Sequence, residues 1–246
     1  MTKKLLTHLY VLCLCAMTHM AYGQITLGAK TGVNLNQFSQ PGTTIGVNAG
    51  IYGTYRVNSF LSVRLEPQYS QEGGGRPDYY RDYSEISNDV YAIQFINPSV
   101  RFHNLQIPLF VELTLPELSD QTITPVLMLG ASYAMTISAM EQHTKRYTFI
   151  EGNIDSSYDT YQGLDVSYQR ENVLDNYARN QWSVWFGMGL QFKGGERTYS
   201  FDVRYRQGLN NLNNLRFVSP AYVPGTGGNL LSSSLSLNFS MSLFNF

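Results

Sequence analysis

The sequence predicts an all-β fold, an eight-stranded antiparallel up-and-down transmembrane β-barrel with a side-chain-filled lumen. Three observations predict it. Segments of about ten residues alternate apolar and polar positions with a period of two. Short connections alternate with long ones along the chain. The first residues have the form of an export leader.

The leader comes first. Lys3 and Lys4 precede an apolar stretch from Leu5 to Met17, and Ala21-Tyr22-Gly23 supplies small residues at the −3 and −1 positions of a cleavage site. Cleavage is expected before Gln24, which makes residues 1–23 a signal peptide and residues 24–246 the barrel domain. Cys13 and Cys15 both fall in the leader, each after a leucine, so neither disulfides nor lipidation are expected. Without Lys3 and Lys4 the basic count falls from 17 to 15 against 18 acids, a net charge of −3. That balance excludes a nucleic-acid footprint. The most apolar later stretch, Pro125 to Met140, is broken by Gly130, Ser132, Thr136 and Ser138. A membrane helix needs roughly 18 uninterrupted apolar residues, so a closed barrel is the remaining way to span a bilayer.

The eight segments follow in order. Ile25, Leu27, Ala29, Thr31, Val33 and Leu35 form the apolar side of the first, with Lys30 and Asn34 opposite. Ile45 to Ile51 form the second, and Leu61 to Tyr69 the third, with Arg64, Glu66 and Gln68 on its polar side. The fourth sets Leu105, Ile107, Leu109, Val111 and Leu113 against Asn104, Gln106, Glu112 and Thr114. Ile123 to Tyr133 and Trp182 to Phe192 are the fifth and sixth. In the seventh, Tyr199 to Tyr205 alternate with Ser200, Asp202, Arg204 and Arg206. In the eighth, Leu235 to Leu243 alternate with four serines and Asn238. Phe244 and Phe246 break that parity, which predicts a bulge or bend in the last residues.

Arg56 to Phe60, Pro116 to Thr122 and Lys193 to Thr198 are short connections; Gln71 to Phe102, Glu141 to Gln181 and Leu209 to Ser233 are long ones. The short first connection near Ser39 to Thr43 falls on the side of the long ones. Outer-membrane barrels carry short turns on the periplasmic side, so both termini are expected there. Tyr55, Tyr69, Tyr133, Trp182, Phe192 and Tyr199 near strand ends suit interfacial girdles, and a terminal Phe246 resembles an outer-membrane sorting signal.

Alternation alone does not say which face is outside, since a soluble lipocalin-type barrel has the same period. The residue types do. The polar face mixes Gly, Ser and Asn with opposed charges, and only 14% of the chain is charged, too little for a soluble exterior. Lys30, Arg64, Glu66, Glu112, Asp202, Arg204 and Arg206 are therefore expected to form a structural charge network filling the narrow lumen.

Signals for chemistry are sparse. His103 and His143 are the histidines outside the leader, expected as exposed rim residues; Ser99 or Ser138 could serve as nucleophile partners, but no spacing favours them. The glycine clusters lack the Lys-Ser/Thr ending of a phosphate loop. No metal site, cofactor or enzymatic activity is expected. The longest connection carries Tyr147, Tyr158, Tyr161, Tyr168 and Tyr177 among acidic residues, a composition suited either to contacting a partner or to capping the barrel mouth.

Several strand motifs also resemble a known family. Gly28-Ala29-Lys30-Thr31-Gly32-Val33-Asn34-Leu35, Leu65-Glu66-Pro67-Gln68-Tyr69-Ser70-Gln71-Glu72-Gly73, Leu105-Gln106-Ile107-Pro108-Leu109 and Arg204-Tyr205-Arg206-Gln207-Gly208-Leu209 resemble strands of the PorT-type outer-membrane β-barrel family of Bacteroidetes. The resemblance implies an eight-stranded barrel in the outer membrane and an accessory role in type IX secretion. Pro125 to Gly130 resembles the wider family rather than its secretion members. The expected function is scaffolding or binding through the outward loops, with outer-membrane lipid and other envelope or secretion proteins as partners. A barrel-embedded lipid-modifying enzyme and a narrow pore are the alternatives.

Overall fold

The computed structural model describes residues 24–39, 42–76, 79–82, 90–115, 123–151, 159–212 and 229–246. The expected signal peptide and the second short turn lie outside these residues. The strands are β1 (Gln24–Phe38), β2 (Thr43–Arg56), β3 (Leu61–Leu65), β4 (Gln68–Gly75), β5 (Tyr79–Asp82), β6 (Val90–Thr114), β7 (Ile123–Glu151), β8 (Asp159–Asn172), β9 (Asn180–Gly194), β10 (Arg197–Gly208) and β11 (Ser232–Asn245). No helix among the described residues is long and apolar enough to cross a membrane.

Pairing is antiparallel throughout, and β1 closes the sheet against β11. Ile25 and Phe246 exchange backbone hydrogen bonds of 3.1 and 2.8 Å across the seam. Closure removes the open edges that would expose backbone polar groups to lipid. The wall has eight staves: β1, β2, β3 with β4, β6, β7, β9, β10 and β11. The third is interrupted at Pro67, which has no N–H to give to the ladder. Its carbonyl still accepts from Ile51 N at 3.1 Å, and the inward residues Arg64, Glu66, Gln68, Ser70 and Glu72 continue in phase across the break.

Two of the short turns are built by local chemistry. Asn58 Oδ1 accepts from the backbone N–H of Phe60 and Leu61 at 3.0 and 2.8 Å, pinning the β2–β3 turn. Between β9 and β10 the chain reverses at Gly195, whose φ of 65° is one that L side chains rarely adopt.

The faces follow the residue types. Leu105, Ile107, Leu109, Val111 and Leu113 are 42–51% exposed on the outside of β6, while Asn104, Gln106 and Glu112 between them are at most 2% exposed. The other staves repeat this, with an apolar exterior and a polar interior. It is the inverse of a soluble barrel, and it leaves the outward surface as one apolar belt suited to lipid. At the end of β11, Leu27 faces Phe244 while Gly28 faces Ser242, so Leu243 is the extra residue of a bulge. The bulge turns Leu243, Phe244 and Phe246 all outward, resolving the parity break.

Two of the long connections prove to be mostly strand. β6 and β7 run 25 and 29 residues and stay paired as far as Val90 and Phe149; β5 adds to one side and β8 to the other. This four-stranded sheet stands beyond the belt. Alternation in the membrane-facing segments marked where the belt ends, not where pairing ends. Val90, Ile93, Phe95, Tyr147, Phe149 and Ile150 are residues that favour strands and carry the ladder onward. The third long connection lies mostly outside the described residues.

A second bulge sits in β7. His103 pairs with Ser138 but Asn104 with Thr136, leaving Ile137 unmatched. Below it Leu129 and Met135 point outward; above it Ser138, Met140 and Gln142 lie on the outer side, while Ala139, Glu141 and His143 turn in. His143, expected at an exposed rim, is 3% exposed for this reason.

Candidate functional site

The lumen brings the seven charged residues together in two groups. In the first, fully buried Glu66 is the hub. Its Oε2 accepts from Lys30 Nζ at 2.8 Å and Arg204 Nη1 at 2.6 Å, and its Oε1 accepts from Arg204 Nη2 at 3.0 Å. Arg64 Nε lies 2.6 Å from the same Oε1, an ion-pair contact without hydrogen-bond geometry. Arg204 also reaches Asp202 through Nε at 2.6 Å and Nη2 at 2.9 Å, and Asn238 donates to Asp202 at 2.7 Å. Arg64 bonds Glu112 and Ser240, both at 3.3 Å. Three cations thus face three carboxylates.

Ring faces complete the first group. The Arg64 guanidinium stacks 3.8 Å over Tyr52 and that of Arg204 lies 4.5 Å over Phe110. Glycine makes room for these side chains. A Cβ at Gly28 would lie 2.3 Å from the Tyr52 ring, and one at Gly187 would lie 2.9 Å from Arg204 Cγ.

The second group lies nearer the extended end. Arg206 Nη2 meets Glu72 Oε2 at 2.7 Å and its nitrogens reach the hydroxyls of Ser183, Ser232 and Ser234 at 3.2–3.4 Å. Glu72 is not among the lumen charges expected from alternation, because the alternating segment Leu61 to Tyr69 stops short of it. Its signal was present, since it continues the parity of Glu66, Gln68 and Ser70.

Not all of the lumen is polar. Phe110, Val126, Met128 and Trp185 form a buried apolar patch on β6, β7 and β9, with Trp185 Nε1 donating to Ser132 at 2.8 Å. Above the charges a larger apolar cluster of Phe38, Val100, Phe102, Ala139, Val173, Tyr177, Leu212 and Leu230 closes the mouth. A 3-10 turn at Leu174–Asn176 carries Val173 and Tyr177 into it, and Leu212 N donates to Leu230 O at 2.9 Å. Tyr177 stands edge-on to Phe102 with centroids 4.9 Å apart.

A third polar group is set into this cap. Arg76 Nη1 donates to the Tyr177 hydroxyl at 2.7 Å, which donates to Glu141 Oε2 at 3.1 Å. His143 Nδ1 lies 3.1 Å from Glu141 Oε1, its ring edge-on to Phe95. Burial pushes the Tyr177 phenol well above its ordinary range, so it stays neutral and able to donate.

The five tyrosines of the longest connection therefore do not form one surface. Tyr177 is 2% exposed and belongs to the cap, so it leaves the partner-contact set. Tyr147 lies on β7 opposite Ile93, Tyr161 on β8 opposite Phe149, and Tyr168 also on β8. Tyr158 lies outside the described residues. Of the residues considered for chemistry, His103 is half-buried on the outer face, its Nδ1 2.5 Å from the Tyr69 hydroxyl, with Ser138 as its cross-strand neighbour. Ser99 lies further along β6, opposite Gln142.

An apolar outside, a filled polar inside and a closed antiparallel sheet define a membrane-spanning barrel of the outer-membrane class. Residues 18–214 match the family described as outer membrane protein beta-barrel domain, and the chain belongs to that family. Among solved structures it is similar to Ail of Yersinia pestis, at 10% identity and a TM-score of 0.38, over 91% of this chain and 99% of that one. It is also similar to Neisserial surface protein A, at 14% identity and a TM-score of 0.39, over 89% and 97%. A third is the N-terminal β-barrel domain of OprF from Pseudomonas aeruginosa, at 10% identity and a TM-score of 0.27, over 88% and 96%. No curated protein matches the chain.

Proposed function

We propose that this protein is a non-enzymatic outer-membrane barrel that binds a protein of the envelope or cell surface through the sheet β5–β6–β7–β8. Both termini face the periplasm in this reading, because the short turns share their end and outer-membrane barrels turn short on that side. The observation that carries it is the contrast between a filled lumen and an extended sheet. Charges and a cap fill the route through the barrel, which speaks for a binder rather than a pore. Meanwhile β6 and β7 hold their pairing well beyond the belt.

The edge of that sheet supports the same reading. β8 pairs with β7 along one side, and among the described residues no strand pairs with its other side. Such an edge offers backbone donors and acceptors to an incoming strand. An accessory place in type IX secretion, implied by the PorT-type resemblance, is the narrower form of this proposal.

Crosslinking in native membranes tests it. Wild type should capture a stoichiometric partner, and deletion of residues 145–166 should abolish capture while the barrel still folds, judged by heat-modifiable gel mobility. Secretion components among the captured proteins would support the narrower form. A protein that stays solitary in both cases would overturn the reading.

A further inference from the structure

We infer that the outer rim of the barrel between β4, β6 and β7 holds the phosphate of a membrane lipid headgroup, with Arg101 as its anchor. The position follows from strand geometry. On the outer face of β6 the apolar run ends at Leu105; the next outward residues are His103 and Arg101. Four residues span about 14 Å along a strand, or about 10 Å along the membrane normal at the usual barrel tilt. Arg101 therefore stands just beyond the hydrocarbon, at headgroup depth. The aromatic residues agree on this boundary. Tyr69 pairs with Leu105, and Tyr133 packs on Trp182 with centroids 5.0 Å apart, two residues further into the belt.

At that depth the wall is indented. A cavity of about 20 Å³ opens between Thr44, Ser99, Arg101, Met140 and Gln142. That is enough for one water-sized group, such as a phosphate oxygen. Gly73 lets β4 and β6 approach closely beside the cavity, since a Cβ on it would collide with the backbone oxygen of Val100. A Cβ would lie 3.0 Å from Thr44 Oγ1 and 3.3 Å from Arg101 Cα. The bulge at Ile137 supplies the far wall by bringing Met140 and Gln142 to the outer side.

The polar groups around the cavity point to an anion. Arg101 is exposed, and among the described residues no carboxylate pairs with it. Thr44 Oγ1 is buried and has no hydrogen-bond partner among the described residues. A hydroxyl so placed is costly unless something accepts its proton. A guanidinium, two hydroxyls and a carboxamide match the oxygens of one phosphate. The apolar belt directly below accommodates the acyl chains of the lipid that carries it.

Native mass spectrometry of the purified barrel in neutral detergent tests the site. The probes are a bis-phosphorylated lipid A and its dephosphorylated counterpart, each in micelles, and inorganic phosphate. Wild type should retain the phosphorylated lipid at least tenfold better than the dephosphorylated one. Arg101→Gln should erase that preference and Thr44→Val should weaken it about threefold. Arg56→Gln, which removes an exposed cation at the opposite rim, should leave it intact. Folding of each variant is checked by heat-modifiable mobility. Equal retention of the two lipids, or a preference that survives Arg101→Gln, would overturn the inference. Inorganic phosphate binding as tightly as the lipid would assign the pocket to a free anion and overturn it too.

Discussion

At the level of Glu66 the lumen is filled by ion pairs, whereas at the level of Phe102 it is filled by aromatic and aliphatic side chains. Both levels occlude the barrel, but their physics differs. An ion in the plug is stable only while its partners are present, because each charge has left water and relies on the others to offset that cost. The apolar cluster of the cap, around the polar group at Glu141, is built from contacts that each add burial on their own account. The plug is therefore a specifying device, intolerant of partial loss, and the cap an additive one. They also differ in what holds them. Plug residues project from staves locked into the closed sheet. Cap residues include Val173, Tyr177, Leu212 and Leu230 from connections, where local opening costs less than unfolding of the wall.

The largest effect that would break this comparison is predicted at the hub. Glu66→Ala leaves Lys30, Arg64 and Arg204 short of their shared carboxylate. It should cost about 3–5 kcal/mol in urea unfolding of the reconstituted barrel. A cost under about 1 kcal/mol would mean that water reaches the plug freely.

Phe102→Ala comes next, at about 3 kcal/mol, and its effect should be local. Hydrogen exchange should quicken at the Ala178 and Leu212 amides, which belong to the cap, while the β1–β11 seam keeps its protection. A global loss would make the cap part of the barrel's cooperative unit.

Arg206→Met sharpens the description of the plug as a set of dependent charges. Alone it leaves Glu72 buried without its cation; with Glu72→Leu added, stability should recover by about 1–3 kcal/mol. A double variant worse than the single would show the pair to be net stabilising. The smallest effect is expected for Ser240→Ala, about 1 kcal/mol in the same unfolding assay, since Arg64 and Ser200 each lose one neighbouring hydroxyl. In planar bilayers, cap variants should stay non-conducting by themselves, because the plug lies in series with the cap.

The plug is more legible in the sequence than the cap, for a physical reason. Arg64, Glu66, Asp202 and Arg204 lie on uninterrupted parity in strands whose other face is plainly apolar. Glu72 is equally legible on parity, but it lies past the segment that apolar alternation marks. Glu141 and His143 were not legible that way. The bulge at Ile137 reverses the facing of Ser138 to His143, and a bulge is set by pairing with a neighbouring strand. Tyr177 could not be separated from the other loop tyrosines, because only the fold brings it against Phe102 and Arg76. The extended sheet was hidden as well, since outside lipid a strand has no need of an apolar face.

What the sequence determined by itself is which side of each stave faces lipid, and through the short connections, which end carries the termini's turns. Successive Cβ atoms point to opposite faces of any strand, so this information is local and survives without knowledge of the neighbours. Partnership across the lumen is a different matter. Glu66 meets Lys30 across 36 residues and Arg204 across 138. Stagger and closure of the whole sheet decide those meetings, and the bulges at Leu243 and Ile137 redirect the facing that parity alone would assign. Hence the lumen's main charges are readable from the chain, while its wiring, its apolar patch, its cap and the indentation beside Arg101 belong to the tertiary structure.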